Sequence, residues 1–164
     1  MKHILQQFMQ REAGPRIQFI KYAIAGGIAT VVDMVTFSLC AWLLLSALSP
    51  DEAIVKLLHI KVEPIPDNLR AIHYSVDMVI AFLFSNTTAY IIDVLWVFHP
   101  GRHSRLKEFM LFFTVSFVAM VVGTGLGAGL IKWFGMGAAV AYIAKAGAAL
   151  AINYAGRKFF VFLR

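Results

Sequence analysis

Residues Phe109–Ile131, with the sequence FMLFFTVSFVAMVVGTGLGAGLI, form the stretch that decides the fold, because 23 consecutive positions carry no charge. A helix rises about 1.5 Å per residue, so about 20 residues cross the hydrocarbon core of a bilayer. Strand-like alternation is absent, and a helix satisfies its own backbone hydrogen bonds in lipid. This stretch therefore predicts a membrane-spanning helix.

Three further stretches are long and apolar enough to do the same. They are Tyr22–Leu48 (27 residues, interrupted by Asp33), Ile72–Phe98 (27 residues, with Asp77 and Asp93) and Gly135–Gly156 (22 residues, with Lys145). Hydrophobic residues make up 60% of the 164-residue chain and charged residues 15%, whereas soluble domains average roughly 25% charged residues. We therefore expect an all-α integral membrane protein of one domain with four transmembrane helices.

Lysine and arginine residues are divided unequally between the two sides of the predicted membrane. Ten lie in the N-terminal segment, the central loop and the C-terminal segment, and four lie in the other two loops. Cationic loops stay predominantly in the cytoplasm. This asymmetry places both termini and the central loop in the cytoplasm, and it accounts for the net charge of +6 without nucleic acid as a partner.

Two shorter segments outside the spans have amphipathic patterns. Ile4, Leu5, Phe8 and Met9 recur on one side of a helix that Gly14-Pro15 would end, so a short amphipathic N-terminal helix on the membrane surface is predicted. The alternative is a frayed tail. The segment Glu52–Ile60 could lie in the same way on the opposite surface.

An internal repeat relates the two halves of the chain. Residues 89–98 (AYIIDVLWVF) match residues 153–162 (NYAGRKFFVF) at an offset of 64, and residues 19–22 (FIKY) match residues 109–112 (FMLF) at an offset of 90. The difference between the two offsets lies mainly in the long first loop. Each repeat is a two-helix hairpin, and an even number of spans makes the two repeats parallel, related by an axis along the membrane normal.

In their order, these elements resemble the GtrA-like family, which includes GtrA and GtcA proteins of surface-polysaccharide modification. The resemblance runs roughly from Ile17 to Phe162. It is carried by Phe19–Tyr22, Gly26–Asp33, Ala89–Phe98, Phe109 after a basic loop, and Asn153–Phe162. Where the family usually has Asn then Arg before the Trp-Val-Phe ending, this chain has Asp93 and Val94.

The resemblance implies a carrier for polyprenyl-phosphate-linked sugars, such as those on undecaprenyl phosphate, in the bacterial inner membrane. Such a flippase moves a lipid-linked sugar, made on the cytoplasmic leaflet by a membrane-bound glycosyltransferase, to the outer leaflet. A related possibility is a scaffold that recruits or stabilises the transferase, like the small subunit of dolichol-phosphate-mannose synthase. A small multidrug transporter also has four spans, but such proteins are shorter and rely on a first-helix Glu, where this chain has Asp33.

Asp33 and Lys145 are charged residues in the middle of predicted spans. A charge near the bilayer centre costs about 2.5–3.5 kcal/mol on insertion scales, so each residue needs a partner or water. Each lies twelve residues from its cytoplasmic boundary, at Lys21 and Arg157, which corresponds to a depth of about 18 Å. We expect an ion pair that either locks the bundle or releases Lys145 to bind the lipid phosphate.

The second span carries a polar stripe. Asn86, Tyr90 and Asp93 are spaced at i, i+4 and i+7 and therefore share one helix face. These residues, with Asn153 on the last span, could contact the sugar and phosphate, or they could form hydrogen bonds between helices. Asp77 lies on the opposite face, about 10 Å from the outer end of the span, where we expect it to be hydrated.

Basic and aromatic residues gather near the predicted inner surface. Arg157 and Lys158, together with Arg102, Arg105 and Lys107, could collect the lipid phosphate, although positive-inside topology explains these residues equally well. The aromatic residues there predict an interfacial belt. They are Trp96, Phe98, Phe159, Phe160 and Phe162.

Small residues repeat at four-residue spacing in the third and fourth spans, as at Gly123 and Gly127. This spacing permits close packing of helices within the chain or between two copies, so a homodimer is one expectation. The sequence holds no phosphate-binding glycine loop, no metal-ligand spacing and no Ser-His-Asp set. We therefore expect no catalytic residue, metal or cofactor.

Overall fold

The computed structural model describes residues 8, 10, 13–48, 53–59, 61–63, 65–99, 101 and 103–162. These residues form helices and no strand, which confirms the predicted all-α class. The helices are α1 (Pro15–Leu43), α2 (Ala53–Leu58), α3 (Asp67–Ile92), α4 (Arg105–Phe134) and α5 (Ala138–Gly156). Apart from Phe8, the predicted amphipathic helix at residues 4–9 lies outside the described residues.

Three of the helical segments are long and apolar enough to cross a membrane. They are Pro15–Leu43, Asp67–Val97 and Arg105–Phe134, with 29, 31 and 30 residues. Large apolar side chains such as Met34 (64% exposed) and Phe84 (61%) lie on their outer surfaces, as lipid-facing positions require. The crossing of α5, which has 19 residues, and the cytoplasmic location of the termini remain predictions.

The local sequence explains where the helices begin and end. Ser104 caps the start of α4, since its Oγ accepts a hydrogen bond from the Lys107 N–H at 3.4 Å. Gly135 ends α4 in the left-handed conformation with φ 61°. The helix α3 begins at Asp67, five residues before the predicted span, and Arg70 is bonded to Asp67 there at 2.8 Å.

Each of α3 and α5 runs into a five-residue π-helical turn, Asp93–Val97 and Arg157–Val161. The two turns occupy matching positions of the internal repeat, 64 residues apart. Each turn ends with a backbone hydrogen bond that a phenylalanine N–H donates. Phe98 N–H donates to the Asp93 carbonyl at 2.8 Å, and Phe162 N–H donates to the Arg157 carbonyl at 2.9 Å. The repeat therefore has the same irregular backbone at both of its ends, and π-turns of this kind are frequent at functional sites.

The chain divides into two compact units. Unit 1 consists of Met1–Ala25 and Tyr90–Arg164, and unit 2 consists of Gly26–Ala89. In unit 1, α4 and α5 pack antiparallel through glycines. A Cβ atom on Gly123 would come 3.1 Å from the Lys145 carbonyl oxygen, and one on Gly156 would come 2.5 Å from Val115 Cγ1. At Gly123, the small-residue spacing thus serves packing within the chain.

Unit 2 has an apolar core where the end of α1 meets α2. Its buried members are Ala41, Ala47, Leu48 and Val55, with Phe37 and Val62 packed against them. The helix α2 lies within the segment predicted to be amphipathic, and its Val55 is buried while Leu57 is exposed. The two faces of this segment therefore differ in their surroundings, as the pattern indicates.

Candidate functional site

The centre of the candidate site is an ion pair between two predicted binding residues, Asp93 and Arg157, in unit 1. Arg157 Nη1 donates to Asp93 Oδ2 at 3.1 Å, and the two side chains are 7% and 0% exposed. Arg157 Nη2 donates to Ser116 Oγ on α4 at 3.0 Å. The two partners are the first residues of the two π-turns, so the internal repeat brings matching positions face to face.

Aromatic rings enclose the guanidinium group of Arg157. Its central carbon lies 3.7 Å from the ring centroid of Phe112 and 5.4 Å from that of Tyr22. Tyr22 and Phe112 are themselves counterparts in the repeat, at the offset of 90. An arginine stacks favourably on aromatic faces, and the rings also exclude water from the ion pair.

The enclosed pair leaves two polar atoms unused. Asp93 Oδ1 and Arg157 Nε are buried, and neither has a hydrogen-bond partner among the residues that the structure describes. Buried polar groups are nearly always bonded, and an unpaired one costs about 1–3 kcal/mol. The site therefore holds one free acceptor and one free donor on groups that already carry opposite charges.

A stack of aromatic residues lies beside the pair. The Phe98 and Phe162 rings are parallel within 13° at 5.0 Å, and both side chains are buried. The prediction of an interfacial belt is wrong for these two residues, because the π-turns bring their side chains into the interior. Phe159 and Phe160, which are 56% and 68% exposed, have the exposure that a belt requires.

Two tyrosines join the end of each repeat to the start of the other. The Tyr154 hydroxyl donates to Gln18 Oε1 at 3.3 Å, and Gln18 Nε2 donates to the Val97 carbonyl at 3.3 Å. The Tyr90 hydroxyl donates to the Arg105 carbonyl, also at 3.3 Å. Tyr90 and Tyr154 match at the offset of 64, so the repeat relates the two tyrosines, although Gln18 aligns with Glu108 and not with Arg105.

Glu108 is the repeat counterpart of Gln18 and is completely buried. It accepts the Gly101 N–H at 2.7 Å and a bond from Arg105 Nη1 at 3.1 Å. A Cβ atom on Gly101 would come 2.9 Å from the Val161 carbonyl oxygen, so the loop needs a glycine here. Sequence reasoning missed Glu108 and Gln18, although the offset of 90 that aligns Tyr22 with Phe112 also aligns these two positions.

Lysines flank this cluster. Lys158 Nζ donates to the Tyr154 hydroxyl at 3.3 Å. Lys21 is completely buried, donates to the Gln10 carbonyl at 2.9 Å and lies 5.0 Å from the Trp96 ring. Trp96 in turn donates from Nε1 to the Phe8 carbonyl at 2.8 Å. The sequence gives Lys21 only as the cytoplasmic boundary of the first span. In the structure, its bond to the Gln10 carbonyl joins α1 to the residues before it.

Four further predicted site residues are Lys145 and Asn153 in unit 1, and Asn86 and Asp33 in unit 2. In unit 1, Lys145 is half-buried against Gly123, and Asn153 is half-buried with its Oδ1 unbonded among the described residues. In unit 2, Asn86 is buried, and Asp33 Oδ1 accepts a bond from Ser85 Oγ at 2.8 Å. The pairing of Asp33 with Lys145 stays a prediction.

The expectation that Asp77 is hydrated is wrong. Its side chain is completely buried in unit 2. Because α3 begins at Asp67, Asp77 lies ten residues, or about 15 Å, inside the helix rather than near its end.

Metal binding has no support in the described part of the chain, which contains no group of three or more His, Cys, Asp or Glu side chains able to hold an ion.

An open groove of about 520 Å³ runs along α3. Its lining residues are Ala71, Ile72, Ser75, Val76 and Val79. None of the predicted site residues lines it, and its apolar character fits a surface that contacts lipid chains.

The family model of the GtrA/DPMS transmembrane domain matches residues 21–162. The chain belongs to this family. The match includes both π-turns, the Asp93–Arg157 pair and its aromatic enclosure. Comparisons with curated proteins and with solved structures gave no significant match. Membership links the protein to the chemistry of polyprenyl-phosphate sugars at a membrane.

This GtrA/DPMS domain offers one arrangement suited to a phosphate group. Arginine presents its donors in a planar fork that grips phosphate oxygens through two hydrogen bonds. In Arg157 the Nε donor is unused and Nη1 is held by a carboxylate, which is also an anion. A phosphodiester could therefore take the place of the Asp93 carboxylate and leave the guanidinium group fully paired.

Proposed function

We propose that the protein binds the phosphate of a polyprenyl-phosphate-linked sugar at Arg157 and carries the head group from the inner to the outer leaflet of the bacterial inner membrane. The observation that carries this proposal is the buried guanidinium group, which is paired with Asp93 at 3.1 Å and has an unused Nε donor. Family membership supplies the substrate class.

Phosphate binding at Arg157 is an exchange of one anion for another. A polyprenyl-phosphate sugar is a phosphodiester with one negative charge, as is the Asp93 carboxylate. The exchange leaves the charge next to Arg157 unchanged, provided that the displaced Asp93 takes up a proton, because an unpaired carboxylate would be costly in a low-dielectric interior. The rings of Tyr22 and Phe112 hold the guanidinium plane in place during the exchange.

The head group then moves along a line of polar residues while the polyprenyl tail stays in lipid. Lys158 is the first cation at the surface, and Lys145 lies twelve residues before Arg157 on the same helix, a distance of about 18 Å. Within unit 1, the residues proposed to contact sugar hydroxyls and phosphate are Tyr90 and Asn153. No nucleotide-binding motif occurs in the sequence, so a gradient of the substrate or of an ion supplies the driving force.

A scaffold for a membrane-bound glycosyltransferase is the second candidate. The matched family model, which covers DPMS transmembrane domains as well as GtrA proteins, favours it. A scaffold needs an intact bundle but not a site that releases Arg157. The two candidates therefore differ in what happens when Arg157 or Lys145 loses its charge and the fold is kept.

The test is transport of candidate lipid-linked sugars by the full chain reconstituted in vesicles. Arg157→Gln and Lys145→Ala are expected to abolish transport. The matched control is Arg70→Gln, because Arg70 lies at the start of α3 in an exposed pair with Asp67 and should be dispensable. Wild-type transport by a folded Arg157→Gln variant would overturn the phosphate role. Co-purification with a transferase whose level falls on deletion of this protein would then favour the scaffold.

A further inference from the structure

Asp77 is a buried acid that the proposed phosphate site does not use. Its side chain has no exposed surface, and neither Oδ1 nor Oδ2 has a hydrogen-bond partner among the described residues. Asp93 differs, because one of its oxygens is paired with Arg157. Asp33 differs too, because Ser85 donates to it. Asp77 is thus the acid of the described spans that is both fully buried and left without a bond on either oxygen.

A carboxylate ion in these surroundings has no compensating contact. Burying a charge without a partner is far more costly than burying the neutral acid, so this packed arrangement accommodates the protonated form of Asp77. Protonation also removes the charge without requiring any other ligand. The carboxyl group then has one O–H donor that no described atom accepts, which leaves it ready to exchange its proton when water enters.

Two titratable groups lie close enough to Asp77 to interact with it electrostatically. His73 lies one turn earlier on α3, is half-buried, and has its Nδ1 3.2 Å from the Ser46 carbonyl. Cys40 lies on the facing helix α1 and is buried. The thiol is a weak donor that carries no charge when protonated. The imidazole can carry a proton on either ring nitrogen, and it lies toward the start of α3.

A metal ion fits the same surroundings poorly. Cations such as Ca²⁺ take six to eight oxygen ligands, and Mg²⁺ takes an octahedron of them. Neither Asp77 oxygen has even one polar neighbour within hydrogen-bonding distance in the described part of the chain. The described residues also contain no cluster of three or more His, Cys, Asp or Glu side chains that could hold a metal ion with Asp77.

We propose that Asp77 is a proton-binding site that exchanges with the solution at the Asp67 end of α3 through His73. The proton leaves the carboxyl O–H to a water molecule that enters beside it, and this water passes it to an imidazole nitrogen of His73, which releases it to the solution; the reverse steps return it. The inference that this site couples an ion gradient to transport rests on the proposed function. The inference that Asp77 binds a proton depends on the geometry of unit 2 alone.

The test uses a fluorescent hydrophobic carbodiimide on the full chain in detergent, with the labelled residue located by mass spectrometry. The reagent adds to an un-ionised carboxyl group in apolar surroundings. The acid proton moves to a reagent nitrogen, and the carboxyl oxygen bonds to the central carbon. We expect label on Asp77 that falls as the pH is raised, and no label after Asp77→Asn. Asp67→Asn is the matched control, because Asp67 is 90% exposed and should not react.

Several outcomes would overturn the proposal. They are absence of label on Asp77 in the folded wild-type chain, label that does not change with pH, and protection by sodium at constant pH. His73→Gln should keep the label but slow its response to a pH jump, and an unchanged response would exclude the His73 route. Since no lipid-linked sugar is present, a negative result leaves the phosphate role of Arg157 unaffected, and loss of that role leaves the label intact.

Discussion

Breaking the Asp93–Arg157 pair on one side should destabilise the protein much more than removing both charges. The side chains are 0% and 7% exposed, so water cannot replace a lost partner. Two unit charges about 4 Å apart interact with about 4 kcal/mol at an effective dielectric constant of about 20. Removing one member of a buried pair costs about 3–5 kcal/mol, because the other charge stays buried alone.

We therefore expect Asp93→Asn and Arg157→Gln each to lower the free energy of unfolding by about 3–5 kcal/mol. The double variant should lose less than either single variant, since no unpaired charge remains. Arg157→Gln also loses the bond to Ser116, so it should be the more damaging of the two.

The assay is reversible unfolding in mixed micelles, followed by tryptophan fluorescence. Trp96 is a useful reporter, because it contacts Lys21 and Phe8 in the same unit. Arg70→Gln is the control, and its exposed pair with Asp67 should contribute less than about 1 kcal/mol. Single losses that add in the double variant to within about 0.5 kcal/mol would show that the two charges are not coupled, and the reasoning would be refuted.

Three further predictions concern packing and hydrogen bonds. Gly156→Ala should lower the free energy of unfolding by about 1–3 kcal/mol, because the new Cβ would lie 2.5 Å from Val115 Cγ1. Adding Val115→Ala should restore part of the loss. An unchanged stability of Gly156→Ala would contradict the close approach of α4 and α5. Ser85→Ala should cost about 1–3 kcal/mol in the same unfolding assay, since Asp33 loses its hydroxyl donor, whereas an unchanged midpoint would argue against that bond. Glu108→Ala should speed protease cleavage in the loop around Gly101 more than Glu108→Gln does, because the amide keeps an acceptor for the Gly101 N–H; equal cleavage rates would count against this role.

Helix positions follow closely from the sequence, because hydropathy and capping residues are local. The uncharged run Phe109–Ile131 lies within α4, and Ser104 and Gly135 mark the ends of that helix. The predicted span begins at Ile72 but the helix α3 begins at Asp67, since polar residues at a membrane surface extend a helix without adding to its apolar run. This difference is also why the apolar run puts Asp77 near an end, whereas the helix does not.

Side-chain contacts between two helices are harder to predict. The spacing of residues along one helix shows which of them share a face, but it does not show which helix packs against that face. The sequence predicts both Asp93 and Arg157 as binding residues, but it does not predict that they pair with each other. The signal was present, since the repeat aligns Asp93 with Arg157 and Tyr22 with Phe112. When two repeats pack about a common axis, matching residues near the axis meet. The π-turns carried no local signal of their own, and they decide that Phe98 and Phe162 lie inside.

In the proposed mechanism, a lipid-linked phosphate takes the place of the Asp93 carboxylate at Arg157. The most direct measurement is photocrosslinking of a polyprenyl-phosphate sugar, with the photoreactive group next to the phosphate, to the full chain in vesicles, followed by mapping of the attached residues. We expect attachment in the two π-turns, Asp93–Val97 and Arg157–Val161, and its loss in a folded Arg157→Gln variant. Attachment elsewhere in the chain, undiminished by Arg157→Gln, would contradict it.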